Sequence, residues 1–296
     1  MTPPARRSAC VTPQRPDTPT VLVMAKAPVP GLAKTRLAAS VGPRAAADLA
    51  TDSLLDTLAA AAGTGWPVVV ALTGDLDSAT RADELGAALA GCTVIEQRGD
   101  GLGERLAAAH FDAMAVGGTA VVQIGSDTPQ VEPADLVAAH DRLAGSDAVL
   151  GGLDAGLAGP DIVLAGHDAV LGPADDAVLA GPDAVLGPAD DGGWWLLATR
   201  RPAVAECIAG VPMSRTDTGV RTIRALHAAG WRVGRTRRLR DVDTARDADA
   251  VARLAPATRF AARWADRGRA WAAGRSEAGL VAGRSEAALV GPGTGP

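Results

Sequence analysis

Three short apolar runs constrain this chain more than any other feature: TVLVM (Thr20–Met24), PVVVAL (Pro67–Leu72) and TAVVQI (Thr119–Ile124). None alternates with polar residues, so each predicts a strand covered on both faces. That is the condition of a parallel sheet lying between helices. The segments between the runs carry helical periodicity. They are Pro43–Ala62, with leucines at 49, 54, 55 and 58, then Asp77–Leu89 and Gly103–Ala115, with Cys92–Glu96 as a short intervening strand. Another helix opens at Glu132–Pro133. Strands alternating with helices predict a doubly wound, mostly parallel α/β sheet.

From Asp147 this order breaks. DAVLG recurs at Asp147–Gly151, Asp168–Gly172 and Asp183–Gly187, and LAGHDAVLGPADD (Leu164–Asp176) returns as LAGPDAVLGPADD (Leu179–Asp191). The units lack the ligand spacing of a calcium loop and are too few to bury a core of their own. They read as a tandem duplication looped out of the domain over 152–187. The last copy continues into DGGWWLLATR, which reads as a strand, so that copy is expected to be the structural one. Downstream, the pattern predicts a helix over Val220–Ala229, a strand over Trp231–Arg240 and a helix over Thr244–Leu254 after DVDT. Trp264 and Trp271 fall on a further Ala/Arg-rich helix. The expected domain spans 20–254, with a disordered start (1–19) and a helical or disordered tail (255–296).

Composition narrows the function. A net charge of −5 gives no global basic field, so nucleic acid is not an expected partner. The cluster Arg235, Arg237, Arg238 and Arg240 reads as a solvated strand edge. No apolar run reaches membrane-spanning length, and no apolar stretch follows Arg6 and Arg7, so a cytoplasmic location is expected. Cys10, Cys92 and Cys207 are odd in number and widely spaced, which suits reduced thiols.

Of 29 basic residues only Lys26 and Lys34 are lysines, and both fall in MAKAPVPGLAKTRL (Met24–Leu37) just after the first strand. Ligands of open α/β sheets bind beyond the carboxyl ends of strands. A loop stiffened by Pro28 and Pro30, with Gly31 allowing close backbone approach, could there present Lys26, Lys34 and Arg36 to a diphosphate. It is not a GxxxxGK[ST] loop. GSDTP (Gly125–Pro129) ends another strand, where Asp127 could hold Mg²⁺ or Mn²⁺ or simply cap a turn. In ADDGGWW (Ala189–Trp195), Asp191 could serve as base or metal ligand. Gly192 and Gly193 would allow close approach, and Trp194 or Trp195 could stack on a ligand or fill the core. RDVDT (Arg240–Thr244) adds Asp241 and Asp243 as further candidate ligands.

Read together, these four segments resemble the glycosyltransferase-A-like family, the group also known as arsenosugar-biosynthesis glycosyltransferases. It is marked by a MAKxPxPGxxKTRL-type opening, a G-[ST]-D-x-P strand end and a GPAxDGG-aromatic turn. The resemblance covers roughly Thr20–Leu254 and extends more distantly to the molybdenum-cofactor and 2-phospho-lactate guanylyltransferases. It implies a Rossmann-like three-layer sandwich, a nucleotide donor and Mg²⁺ or Mn²⁺. It further implies that Lys26, Lys34 and Arg36 contact donor phosphates, that Asp127 and Asp243 bind the metal, and that Asp191 faces the acceptor. The leading expectation is transfer of a sugar from a nucleotide-diphospho-sugar to a small-molecule acceptor. One alternative is nucleotidyl transfer from an NTP to a phosphorylated small molecule. Another is a non-catalytic nucleotide-binding module.

Overall fold

The computed structural model describes residues 18–143 and 181–267. Its strands are β1 (Thr20–Lys26), β2 (Val68–Thr73), β3 (Thr93–Glu96), β4 (Val121–Gly125), β5 (Ala184–Pro188), β6 (Trp194–Thr199) and β7 (Val233–Arg235). Its helices are α1 (Thr35–Val41), α2 (Pro43–Gly63), α3 (Ala82–Leu89), α4 (Leu102–Ala115), α5 (Pro133–Leu143), α6 (Pro202–Ala209), α7 (Thr218–Ala228) and α8 (Ala245–Leu254). Residues 259–267 are also helical. The strands follow the order β3-β2-β1-β4-β6-β5-β7 in one mixed, mostly parallel sheet, the α/β class expected. No helix among the described residues is long and apolar enough to cross a membrane.

The chain divides into two compact units. One holds residues 23–96, 125–132 and 239–267 of the described chain. It takes β1 from Val23 onward, a strand buried from Thr20 to Ala25 with only Lys26 exposed at its end. The strand thus runs further than the TVLVM motif and carries Lys26 itself. Helix α2 starts with Pro43 at a first-turn position, where its missing N–H costs nothing. Its leucines pack inward, and so does a row of polar residues. Thr51 bonds back to the Ala47 carbonyl at 3.0 Å, and Thr57 to that of Ser53 at 2.8 Å. Asp52, 2% exposed, is ion-paired to Arg81 at 2.5 Å and to Arg263. An apolar cluster of Leu37, Leu49, Val242, Val251 and Phe260 joins α1, α2, α8 and the last helix.

The other unit holds residues 18–22, 97–124, 133–143 and 181–238 of the described chain. The last DAVLG copy forms β5, as expected; the earlier copies, Cys10 and Trp271 lie outside the described residues. Trp195 is a core residue, 2% exposed, and its indole N–H donates to the Arg237 carbonyl at 3.0 Å. Gly187 makes room for it, since a Cβ there would lie 2.6 Å from the indole. Glycine is also required where α4 meets α6, because a Cβ on Gly103 would lie 2.7 Å from the carbonyls of Ile208 and Ala209.

Several local expectations are corrected. Strand β6, antiparallel to both β4 and β5, is the exception within the mostly parallel sheet that was expected. The helix expected from Asp77 begins only at Ala82. Asp75 accepts the Asp77 amide at 3.1 Å in a turn, and Arg81 takes a left-handed conformation just ahead of the helix. The strand expected over Trp231–Arg240 is reduced to Val233–Arg235. Beyond it, Arg237 is drawn to Asp135, and Arg238 donates to the Ala189 carbonyl at 3.1 Å. Helices α1 and α6 fall where no helix was expected.

Candidate functional site

The segment after β1 folds as a compact turn rather than an open loop. The amides of Leu32 and Ala33 both donate to the Val29 carbonyl, and the Ala27 amide donates to that of Thr73. Gly31 sits at φ +81° with open space around its α-carbon, so the backbone angle, not crowding, calls for glycine there. Pro30 precedes it. The exposed Lys26 ammonium donates to the Leu32 carbonyl at 3.0 Å, closing the turn from one side.

Lys34 then caps α1 from an uncommon backbone position, φ 44° and ψ 52°, which costs a non-glycine residue about 1 kcal/mol. Its side chain does not serve the helix. It reaches Asp127 and Asp243, with its ammonium 3.1 Å from a carboxylate oxygen of each. Arg36 meets the other Asp243 oxygen at 3.4 Å from a mostly exposed position. Burial alone would lower the Lys34 pKa, but attraction and hydrogen bonding from the two carboxylates outweigh it, and the net shift is upward.

A backbone bond and a side-chain bond bring these carboxylates together. The Val242 amide donates to the Asp127 carbonyl at 2.9 Å, stitching the GSDTP turn to the RDVDT segment. Gln130 adds a side-chain bond to the Arg240 carbonyl at 2.7 Å. Gly125 keeps clear the space over its own α-carbon that the Asp127 carboxylate occupies, 2.9 Å from where a Cβ would stand. On the other side, Thr244 and Asp247 form a capping box that starts α8. Asp243 therefore stands just before a helix N-terminus, where the helix dipole favours an anion.

Lys26, Lys34, Arg36, Asp127 and Asp243 all line one cavity of about 350 Å³, together with Ser126, Thr35 and Ala50. Three cations against two carboxylates leave it positive, and suited to an anionic ligand. Ser126 and Thr35 are lining residues that sequence reasoning did not single out. They flank motif residues, and neither has a charge to mark it. Ser126 is positioned by Ser53 of α2, whose hydroxyl donates to its carbonyl at 2.8 Å.

Asp127 and Asp243 are the two carboxylates of this cavity that could hold a divalent cation. Among the described residues no group of three or more acidic, histidine or cysteine side chains converges on a metal position. Mg²⁺, however, is commonly held by one or two carboxylates plus substrate phosphates. Two carboxylate oxygens that each lie 3.1 Å from one ammonium already face a common cation.

The DGG turn belongs to the other unit and makes its own cluster. The exposed Asp191 carboxylate accepts the Gly193 amide at 2.7 Å. Gly192 sits at φ +90°, and a Cβ on it would fall 1.8 Å from the Thr216 carbonyl oxygen. The Gly219 amide donates to the Gly192 carbonyl at 2.8 Å. Packing against Thr216 thus explains Gly192, while a Cβ on Gly193 would stand 3.0 Å from the Asp191 carboxylate that its own amide binds. The half-buried Trp194 donates its indole N–H to Thr222 at 3.2 Å.

A family model described as "Uncharacterized protein conserved in bacteria (DUF2064)" matches residues 55–156 and 177–215. A provisionally assigned nucleotide-diphospho-sugar transferase from Desulfovibrio desulfuricans G20 superposes with a TM-score of 0.64 at 24% identity, covering 86% of this chain and 96% of its own. A homologue of Mycobacterium tuberculosis Rv0371c from Mycobacterium sp. strain JC1 gives 0.45 at 18% identity, covering 80% and 97%. Rv0371c itself, from strain H37Rv and in complex with manganese, gives 0.42 at 20% identity, covering 80% and 98%. No curated protein matches. By sequence the chain is similar to the DUF2064 proteins over just under half its length, and by fold it is similar to the D. desulfuricans protein, in keeping with the glycosyltransferase-A resemblance.

Proposed function

We propose that the protein is a glycosyltransferase that takes its sugar from a nucleotide-diphospho-sugar with the help of Mg²⁺ or Mn²⁺. The observation that carries this reading is the convergence of Lys26, Lys34 and Arg36 with Asp127 and Asp243 on one cavity. Lys26 and Arg36, both exposed, bind and orient the diphosphate, and Arg36 can do so with two parallel N–H donors. Lys34 neutralises charge that develops on the phosphate oxygens as the bond from the sugar carbon breaks and the nucleoside diphosphate leaves with the electron pair. A divalent cation held by Asp127 and Asp243 would supply further stabilisation of that leaving group.

Asp191 is the proposed base that receives the acceptor hydroxyl's proton. Its motif alone supports that role, and full transfer activity in Asp191→Ala would remove it. The acceptor is a small molecule.

Thermal shift with a panel of nucleotide-sugars and NTPs, each with and without Mn²⁺, tests the reading. A ligand at about 100 times Kd adds roughly 2.7 kcal/mol of stability. A Mn²⁺-dependent shift with one nucleotide-sugar and none with intact NTPs is expected. A shift confined to one NTP would replace glycosyl by nucleotidyl transfer. No shift with any ligand would overturn the site.

A further inference from the structure

We infer that Lys34 is an internal counter-cation for Asp127 and Asp243, one that a divalent metal displaces, so that the lysine and the metal hold the same two carboxylate oxygens in turn. The inference rests on the proposed reading of that pair as metal ligands, and it adds a competitor built into the chain. Three observations carry it.

First, the Lys34 ammonium is 3.1 Å from an oxygen of each carboxylate, so a single cation already joins the two groups that would hold the metal. Second, it is the least exposed member of the trio, with 17% of its side chain accessible against 39% and 37% for the aspartates. It fills the gap between them rather than covering it from solvent. Third, the other two cations of the cavity do not share this position. Lys26 is engaged with the Leu32 carbonyl, and Arg36 reaches only Asp243, from a side chain 75% exposed.

A cation that takes oxygens from both carboxylates withdraws their charge from the ammonium and repels it at short range. The flexible four-carbon arm then lets the ammonium leave while the backbone of Lys34 stays at the start of α1. The freed ammonium is available to a phosphate oxygen of the donor. Metal and diphosphate therefore bind cooperatively: the metal releases the lysine, and the phosphate gives it a new partner.

Mn²⁺ binding followed by electron paramagnetic resonance, with no nucleotide present, tests this on the full chain. Lys34→Met removes the competitor. Lys34→Gly also removes it and suits the left-handed backbone, which guards against a folding defect in the first variant. Arg36→Met removes a neighbouring charge that does not bridge. Both Lys34 variants are expected to bind Mn²⁺ about tenfold more tightly than the wild type, and Arg36→Met by less than about threefold. Unchanged or weaker binding in both Lys34 variants would overturn the inference, as would equal tightening in Arg36→Met, which would reduce the effect to net charge.

Asp127→Asn separates this failure from that of the underlying reading. If it abolishes Mn²⁺ binding while the Lys34 variants behave as wild type, only the competition is wrong. If neither it nor any other variant alters Mn²⁺ binding, the metal assignment fails and the competition with it.

Discussion

The two motif clusters of this protein are held by different forces. The cavity around Lys34 is held by charge: an ammonium between two carboxylates, with a second cation at its edge. The DGG turn is held by shape, with a glycine at φ +90° set against a neighbouring backbone carbonyl. Charge contacts among partly exposed groups are weak and exchangeable, because water and ions can replace either partner. A steric fit between backbones has no substitute. The first arrangement can respond to a ligand; the second can only be kept or lost.

The sharpest way to break that contrast is Gly192→Ala. Its methyl group would meet the Thr216 carbonyl, backbone against backbone, in a conformation that alanine disfavours. A loss of about 3 kcal/mol or more in urea denaturation is expected, and a change of less than about 1 kcal/mol would show that the turn yields.

Nearly as large is an effect of pH on the shape-held unit. His110 is fully buried, and burial pulls its pKa from 6.5 down to about 4, against the smaller upward pull of its bond to Gln123. The folded state keeps this ring neutral while the unfolded chain protonates it. Its contribution is therefore complete above pH 6.5 and falls as pH drops towards 4. Stability should decline by about 3 kcal/mol across that window. Subtracting the pH profile of His110→Leu isolates the decline, and identical profiles would assign it to the carboxylates.

Asp127→Ala addresses the charge-held cluster. The variant should fold with a stability change of about 1 kcal/mol or less, since the pair it breaks is screened by solvent. It should nevertheless lose the metal-dependent shift of roughly 2.7 kcal/mol produced by saturating nucleotide-sugar. Retention of that shift would remove Asp127 from the metal site. The smallest stability effect belongs to Asp191→Ala. Its exposed carboxylate makes one turn bond, so stability should change by about 0.5 kcal/mol, with nucleotide-sugar binding intact and transfer activity lost.

Much of the fold was legible where one physical demand acts on consecutive residues. The apolar runs at Thr20 and Thr119 became β1 and β4, because a strand covered on both faces must be apolar throughout. The helix after DVDT became α8, because the caps of a helix lie next to it in the chain. Strand direction was not legible: nothing in WWLLAT distinguishes a parallel from an antiparallel neighbour, and β6 is antiparallel. Nor was the length of β7, which depends on Asp135 drawing Arg237 aside from far along the chain. In the candidate site, the types of residue were readable from the motifs. Their arrangement was not, because the bonds made by Lys34 span 93 and 209 positions.

Those separations give the cavity a place in the order of folding. Contacts between distant segments form only after the intervening chain has met its loop-closure cost, and so they come late. As the chain emerges during synthesis, Lys34 and Asp127 are present long before Asp243. The pocket stays one carboxylate short until the 239–267 segment docks and Val242 donates to Asp127. The proposed nucleotide binding at this cavity would then report completed assembly of its unit, and a nascent chain stopped ahead of that segment would be folded in part but deaf to the ligand.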